Sequence, residues 1–250
     1  MRLRIVACEI FFRELCHLAA RSPHKVDVEF LPKGLHDQGG RVMRGRLQAA
    51  VDATDPGKHD VVALAYGLCN NGLAGLEARG VPLVLMRAHD CITAFLGSRE
   101  RYARTFEDRP GTYFETTGWL ERGVDGGPYG LPRQMGGLGF DLAVLTQKYG
   151  EDNARYILET MTRHYRRLAF VRMGIEPDGS FETRTRELAA ERGWEFEALD
   201  GDMRLLQRLV DGPWEAHEFL VLQPGQRVAA TLDEEVIVGV DEPSSRSTNR

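Results

Sequence analysis

Short, continuously apolar runs return along this chain, each followed by a segment with helical spacing, and that alternation limits the folds open to it more than any other feature. Residues 3–7, Val61–Ala65 and Leu83–Met86 read as strands buried on both faces, the habit of a parallel sheet. Between them lie helical stretches. Residues 10–20 put Phe11, Leu15, Leu18 and Ala19 on one face and stop near Ser22-Pro23, and residues 41–53 carry a stripe of Val42, Leu47 and Val51. A short helix is expected after Asn70-Asn71-Gly72. Residues 26–31 alternate Val26, Val28 and Phe30 with charged neighbours, as an edge strand does. A βαβα series of this kind implies an α/β fold with a doubly wound parallel sheet.

The alternation fails from Cys91 to about Gly139, where Gly97, Pro110-Gly111, Gly118, Gly126-Gly127-Pro128 and Gly136-Gly137 punctuate the chain, with one short helix near residues 99–106. An irregular segment of that length is expected to be a lid or a binding loop. Alternation then resumes: helices over 152–166, 182–192 and 202–210, and strands over 168–173, 194–199 and Phe219–Leu222, the last expected to be final. Asp200 or Asp202 is placed to cap the helix after it. The expected organisation is an amino-terminal βα lobe (1–95), a glycine-rich loop or lid (96–140), a carboxyl-terminal βα lobe (141–235) and a disordered polar tail (236–250). The two lobes would flank a cleft.

Composition excludes some classes of function. A net charge of −5 offers no basic footprint for nucleic acid. No stretch approaches the roughly 20 apolar residues of a membrane span, and the first residues read as a strand rather than a signal peptide. A cytoplasmic location is expected, where scattered cysteines are thiols or ligands rather than disulfides.

Three of the four cysteines directly follow strand signals: Cys8, Cys69 and Cys91. Parallel strands present their carboxyl ends along one edge, and ligands bind there. Three thiols distant in sequence are therefore expected at one crevice. No closely paired cysteines exist, which argues against a structural zinc knuckle. Single ligands from separate strands suit a catalytic zinc ion with an open position, or a [4Fe–4S] cluster on three cysteines with one iron open to substrate. The spacing does not separate the two, and three small buried side chains remain the plain alternative. Cys16, mid-helix beside Leu15, is expected in the core.

His89 is expected as a fourth ligand or an acid/base group, and Asp90 either orients His89 or caps a helix. His89 activating Cys91 as a nucleophile is a further possibility. Tyr66, Asn70 and Asn71 are expected to face substrate from a strand-to-helix turn whose amides could form an anion-binding nest, or that is simply a tight turn tolerating positive φ; it matches neither phosphate-loop nor dinucleotide patterns. Ser98, Arg99 and Tyr102 on the short helix, and Tyr113, Thr116 and Trp119 in the segment 110–119, are expected to face substrate, although that segment would equally suit a β-hairpin over the sheet edge.

Ala7-Cys8-Glu9, Tyr66-Gly-Leu-Cys-Asn-Asn-Gly, His89-Asp-Cys-Ile, Leu96-Gly-Ser, Pro110-Gly-Thr-Tyr-Phe-Glu-Thr-Thr-Gly-Trp and Pro224-Gly225 together resemble the DUF1638 family of uncharacterised bacterial and archaeal proteins. The resemblance spans roughly residues 3–230 and matches the cysteines at 8, 69 and 91 but not Cys16. It implies an α/β protein, and an association with corrinoid-linked methyltransferase systems whose proteins would be partners. The expected function is a metal-dependent enzyme acting on a small molecule through thiol or one-carbon transfer, with zinc as first choice and the iron–sulfur cluster as its rival. A non-enzymatic metal or ligand carrier for a methyltransferase is the alternative outside enzymology.

Overall fold

The computed structural model describes residues 1–69, 71–122 and 142–241. Two parallel arrangements carry the fold. The first is a five-stranded sheet built from β1 (Arg2–Cys8), β2 (Lys25–Leu31), β3 (Val61–Ala65), β4 (Leu83–Met86) and β8 (Phe219–Leu222), in the order β2-β1-β3-β4-β8. Its first four strands are parallel, with Ile5 beside Val28 on one side and Ala63 on the other. β8 runs antiparallel to β4. The second sheet is wholly parallel, ordered β5 (Thr112–Thr116), β6 (Arg167–Arg172) and β7 (Glu195–Asp200). A hairpin of β9 (Gln226–Ala230) and β10 (Ile237–Asp241) completes the strands.

The helices are α1 (Phe12–Ala19), α2 (Gly40–Asp52), α3 (Cys91–Leu96), α4 (Arg99–Asp108), α5 (Thr117–Glu121), α6 (Leu142–Tyr149), α7 (Glu151–Thr162), α8 (Ser180–Arg192) and α9 (Arg204–Asp211). Three consecutive starts are capped by side chains. Asp90 accepts from the Ile92 and Thr93 amides ahead of α3, Ser98 accepts from Arg101 ahead of α4, and Thr116 accepts from Trp119 ahead of α5. Each cap supplies a partner to a backbone donor that the first helical turn leaves open. Gly97, at φ +80°, ends α3 in the left-handed region that favours glycine and lets α4 begin at once.

One apolar core joins both sheets. Leu3, Ile5 and Leu64 of the first sheet pack in the same cluster as Phe114, Ala169 and Val171 of the second. Phe11 and Phe95 rings meet there at 4.7 Å. Polar contacts fasten the seam: Arg13 makes a two-pronged pair with Glu121 at 2.9 Å, and the Asp202 amide donates to the Phe95 carbonyl at 2.9 Å. Gly118 of α5 lies so close to the Ile10 carbonyl that a Cβ would fall 1.8 Å from its oxygen. Backbone-to-backbone approach of that kind leaves no room for any side chain.

Several expectations are corrected. No helix forms after Asn71-Gly72; residues 71–75 form turns, held by the Gly72 amide on the Leu68 and Cys69 carbonyls. The segment 110–119 is neither a loop nor a hairpin. It forms a strand paired in parallel with β6 and then a short helix, because Thr112, Phe114 and Thr116 are buried against the core while Thr116 also caps α5. Phe219–Leu222 is not the last strand, and the disorder expected from residue 236 does not begin there, since Ile237 is fully buried in β10. Cys16 is exposed rather than in the core, because α1 turns Leu15 and Leu18 inward. Val42 is likewise outside the buried stripe of α2, which runs through Met43, Leu47, Ala50 and Val51. Val26–Val28 does lie on an edge strand, and no helix among the described residues is long and apolar enough to cross a membrane.

Candidate functional site

Cys8 closes β1, Cys69 stands four residues beyond β3, and Cys91 opens α3 five residues beyond β4. β1, β3 and β4 are neighbours in one parallel sheet, so all three thiols emerge at its carboxyl edge. They line a single cavity of about 550 Å³. The turns carrying the latter two are stitched together. Leu68 and Cys69 amides donate to the Ala88 and His89 carbonyls at 2.8 and 3.1 Å, and the Cys91 amide lies near the Cys69 sulfur. Gly67 makes this possible, since a Cβ there would sit 2.6 Å from the Asp90 backbone. Cys69 itself adopts φ +33°, a backbone state that non-glycine residues rarely hold and that clusters at functional sites.

An N–H donor lies near each of these three sulfurs: the Ile10 amide near Cys8, the Gly67 and Cys91 amides near Cys69, and the Trp119 indole near Cys91. Such donors favour the thiolate, yet burial outweighs them and pushes the Cys8 and Cys69 thiols up to about 12. Cys91 is raised too, first by burial and then by the proximity of Cys69, Asp90 and Cys8. A thiol held neutral is a poor nucleophile, and this weighs against Cys91 as an attacking group. A bound cation would reverse the balance, because metal coordination deprotonates a thiol outright. Among the described residues, however, no group of three or more His, Cys, Asp or Glu side chains is arranged to hold a metal ion.

The other expected residues divide. Tyr66, His89, Asp90, Tyr102, Tyr113 and Trp119 line the cavity. His89 is exposed at its rim. Asp90 caps α3 through one oxygen and accepts from the Tyr102 hydroxyl at 2.7 Å through the other, and burial raises its pKa against these contacts. Ser98 and Thr116 serve as helix caps. Arg99 reaches away from the thiols, to the carbonyls of Glu234 and, at 2.6 Å, His217. Asn71 is exposed at φ +60°, and Asn70 lies outside the described residues.

Sequence reasoning found Tyr113 but missed the rest of the wall contributed by the second sheet. His164 and Tyr165, just before β6, and Gly111 and Thr112, at the start of β5, also line the cavity. The Gly111 carbonyl accepts from the Arg166 amide at 2.8 Å, which brings the two connections together. Nothing in the sequence around His164 and Tyr165 signals this, since they come after an amphipathic helix like any surface pair.

Glu115 carries no sequence signal either. It lies on β5, 1% exposed, with one carboxylate oxygen lacking a hydrogen-bond partner among the described residues. Burial lifts its pKa from 4.5 to about 7, against the pull of Lys33 and Arg192. Glu14 on α1 is lifted to about 7 as well, again chiefly by burial. A carboxyl whose folded pKa is raised binds its proton more tightly folded than unfolded, so stability is greatest below about pH 4.5 for that group and is lost as pH rises toward 7. The loss is on the order of 3 kcal/mol for each group. Urea titrations at pH 5 and pH 8 should therefore show lower stability at pH 8, and Glu115→Gln should shrink the difference. An unaltered difference in the Gln variant would refute the assignment.

A family model described as "Protein of unknown function (DUF1638)" matches residues 30–210. No curated protein and no solved structure matches the chain.

Proposed function

The chain belongs to the DUF1638 family, and on the geometry of its cavity we propose that Cys8, Cys69 and Cys91 hold a metal centre that serves an enzyme acting on a small molecule. The observation that carries this reading is the convergence of three sulfurs, from the ends of three neighbouring parallel strands, on one cavity. Cavities of several hundred Å³ at a sheet's carboxyl edge are where small ligands bind. The same reading takes the two parallel sheets as βα halves on either side of a cleft, the first of them doubly wound.

Of the two centres suggested by the sequence, the donor set favours the cluster. One zinc ion at about 2.3 Å from each sulfur would require the three sulfurs within roughly 4 Å of one another, and these thiols are not arranged around a single ion. A cubane would take each cysteine on a different iron, which suits ligands drawn from three neighbouring strand ends, and the N–H groups near the sulfurs would tune such a cluster. When bound on three cysteines, the cluster would supply an open iron acting as a Lewis acid. The chain's own residues do the rest. Trp119 holds the Cys91 sulfur, Asp90 and Tyr102 fix the turn before it, and the aromatic walls exclude water. Thiol or one-carbon transfer is the reaction class we assign, on the family resemblance.

A metal carrier is the weaker reading, because handover needs accessible ligands and Cys8 is buried with only 7% exposed. The test is elemental analysis and absorption spectroscopy of protein purified without oxygen. Iron and acid-labile sulfide with a broad band near about 400 nm support the cluster. One zinc per chain in a colourless protein would replace the cluster with zinc. Protein that carries neither iron nor zinc would refute the proposal.

A further inference from the structure

The walls of the cavity say what kind of molecule it takes. Eight Phe, Tyr and Trp side chains among the described residues line it, drawn from both sheets. Tyr102 and Phe106 come from α4 with ring centres 5.4 Å apart, Trp119 comes from α5, and Tyr113 and Tyr165 meet edge to face at 5.4 Å. No lysine or arginine is among the described residues that line the space, and the one carboxylate among them, Asp90, already accepts from two amides and the Tyr102 hydroxyl. Sites that bind phosphate or carboxylate commonly place a lysine, an arginine or a fork of donors against it; the described walls hold no lysine or arginine, and of basic side chains only His89, exposed at the rim, and His164. Tyr66 adds the informative exception. It is 4% exposed, lines the cavity beside Cys8 and Cys69, and its hydroxyl has no hydrogen-bond partner among the described residues. Buried hydroxyls are nearly always satisfied, so one left open at a cavity wall calls for a partner from outside the protein.

We propose that the substrate is an uncharged, ring-bearing small molecule that stacks on the aromatic walls and meets the Tyr66 hydroxyl with a polar group. This rests on the reading of the cavity as the substrate site and narrows what fills it. Flat rings against π faces gain from stacking as well as from apolar burial, and the cavity is large enough for a ring and its substituents.

Four probes test the proposal by titration calorimetry on the full chain purified without oxygen: p-cresol, toluene, benzoate and benzyltrimethylammonium. p-Cresol should bind best, at least about tenfold more tightly than either charged compound, with toluene weaker by the loss of one hydrogen bond. Tyr66→Phe should weaken p-cresol about five- to tenfold, bring it level with toluene, and raise the Tm of the ligand-free protein, since it removes an unsatisfied buried group. A merely structural hydroxyl would lower Tm when deleted. Equal or tighter binding of benzoate or the ammonium compound overturns the proposal, as does no binding of any probe at millimolar concentration or an unchanged p-cresol affinity in Tyr66→Phe. Metal content is read on the same samples. Metal-free protein that prefers p-cresol refutes the metal centre and keeps this inference, and metal-bearing protein without the preference does the reverse.

Discussion

On the proposed metal centre, Cys8→Ser, Cys69→Ser and Cys91→Ser proteins, purified without oxygen, should each lose at least about nine-tenths of the metal measured in the unaltered chain, whereas Cys16→Ser should lose none. The three sulfurs line one cavity, so losing any one would remove a third of the proposed anchoring ligands. A serine hydroxyl is nearly the size of the thiol but is a far poorer ligand for a soft metal centre. Far-ultraviolet circular dichroism should stay the same, because the replaced atoms contribute little apolar burial. Cys16 is exposed on α1 and does not line the cavity, and its variant is the internal control. Retention of metal in Cys69→Ser would be the most damaging result. Its backbone is held at positive φ by amide bonds to the β4 connection, and we read that strain as the cost of aiming this sulfur.

Gly118→Ala should destabilise the protein by about 3 kcal/mol or more, lowering Tm by roughly 6–12 °C for a chain of this size. The added methyl would lie 1.8 Å from the Ile10 carbonyl oxygen, and neither partner is a side chain that can swing away. Relief requires α5 to withdraw from the turn after Cys8. That movement would carry Trp119 off the Cys91 sulfur, so metal affinity should fall along with stability. Gly45→Ala makes the comparison decisive. Gly45 is inside α2 with open space around its Cα, so the same substitution there should stabilise by about 0.5–1 kcal/mol through helix propensity alone. Chemical denaturation of both variants gives the two values, and a neutral Gly118→Ala would show that the seam between the sheets is looser than its geometry implies.

Much of the first sheet was legible because its strands are almost uniformly apolar. Leu3, Ile5, Val62, Leu64, Leu83 and Leu85 have no exposure, and a segment buried on both faces writes that fact into its own composition. β5 was not legible. Thr112, Glu115 and Thr116 are buried polar residues on a strand whose pairing partner, β6, is about 55 residues further along, so the run reads as a solvated loop until β6 is placed beside it. The hairpin β9–β10 and the antiparallel course of β8 were hidden for a similar reason. Val238 and Val240 are partly exposed, and direction within a sheet leaves no mark on a single strand.

The linear order alone determined that Cys8, Cys69 and Cys91 would share an edge, because parallel neighbours joined by crossovers must all finish on the same side. It also determined the aromatic and thiol character of the residues that stand there. Only the tertiary structure decided which rings close over the thiols. His164 and Tyr165 arrive from a connection more than 70 residues beyond Cys91, by way of the pairing of β5 with β6 and the contact of Gly118 on Ile10. It also turned Arg99 away and gave Ser98 and Thr116 to helix caps. The physical reason is that strand ends are set by local pattern and chain direction, whereas side-chain neighbours across a cavity depend on how two sheets dock, a property that no short window of residues contains.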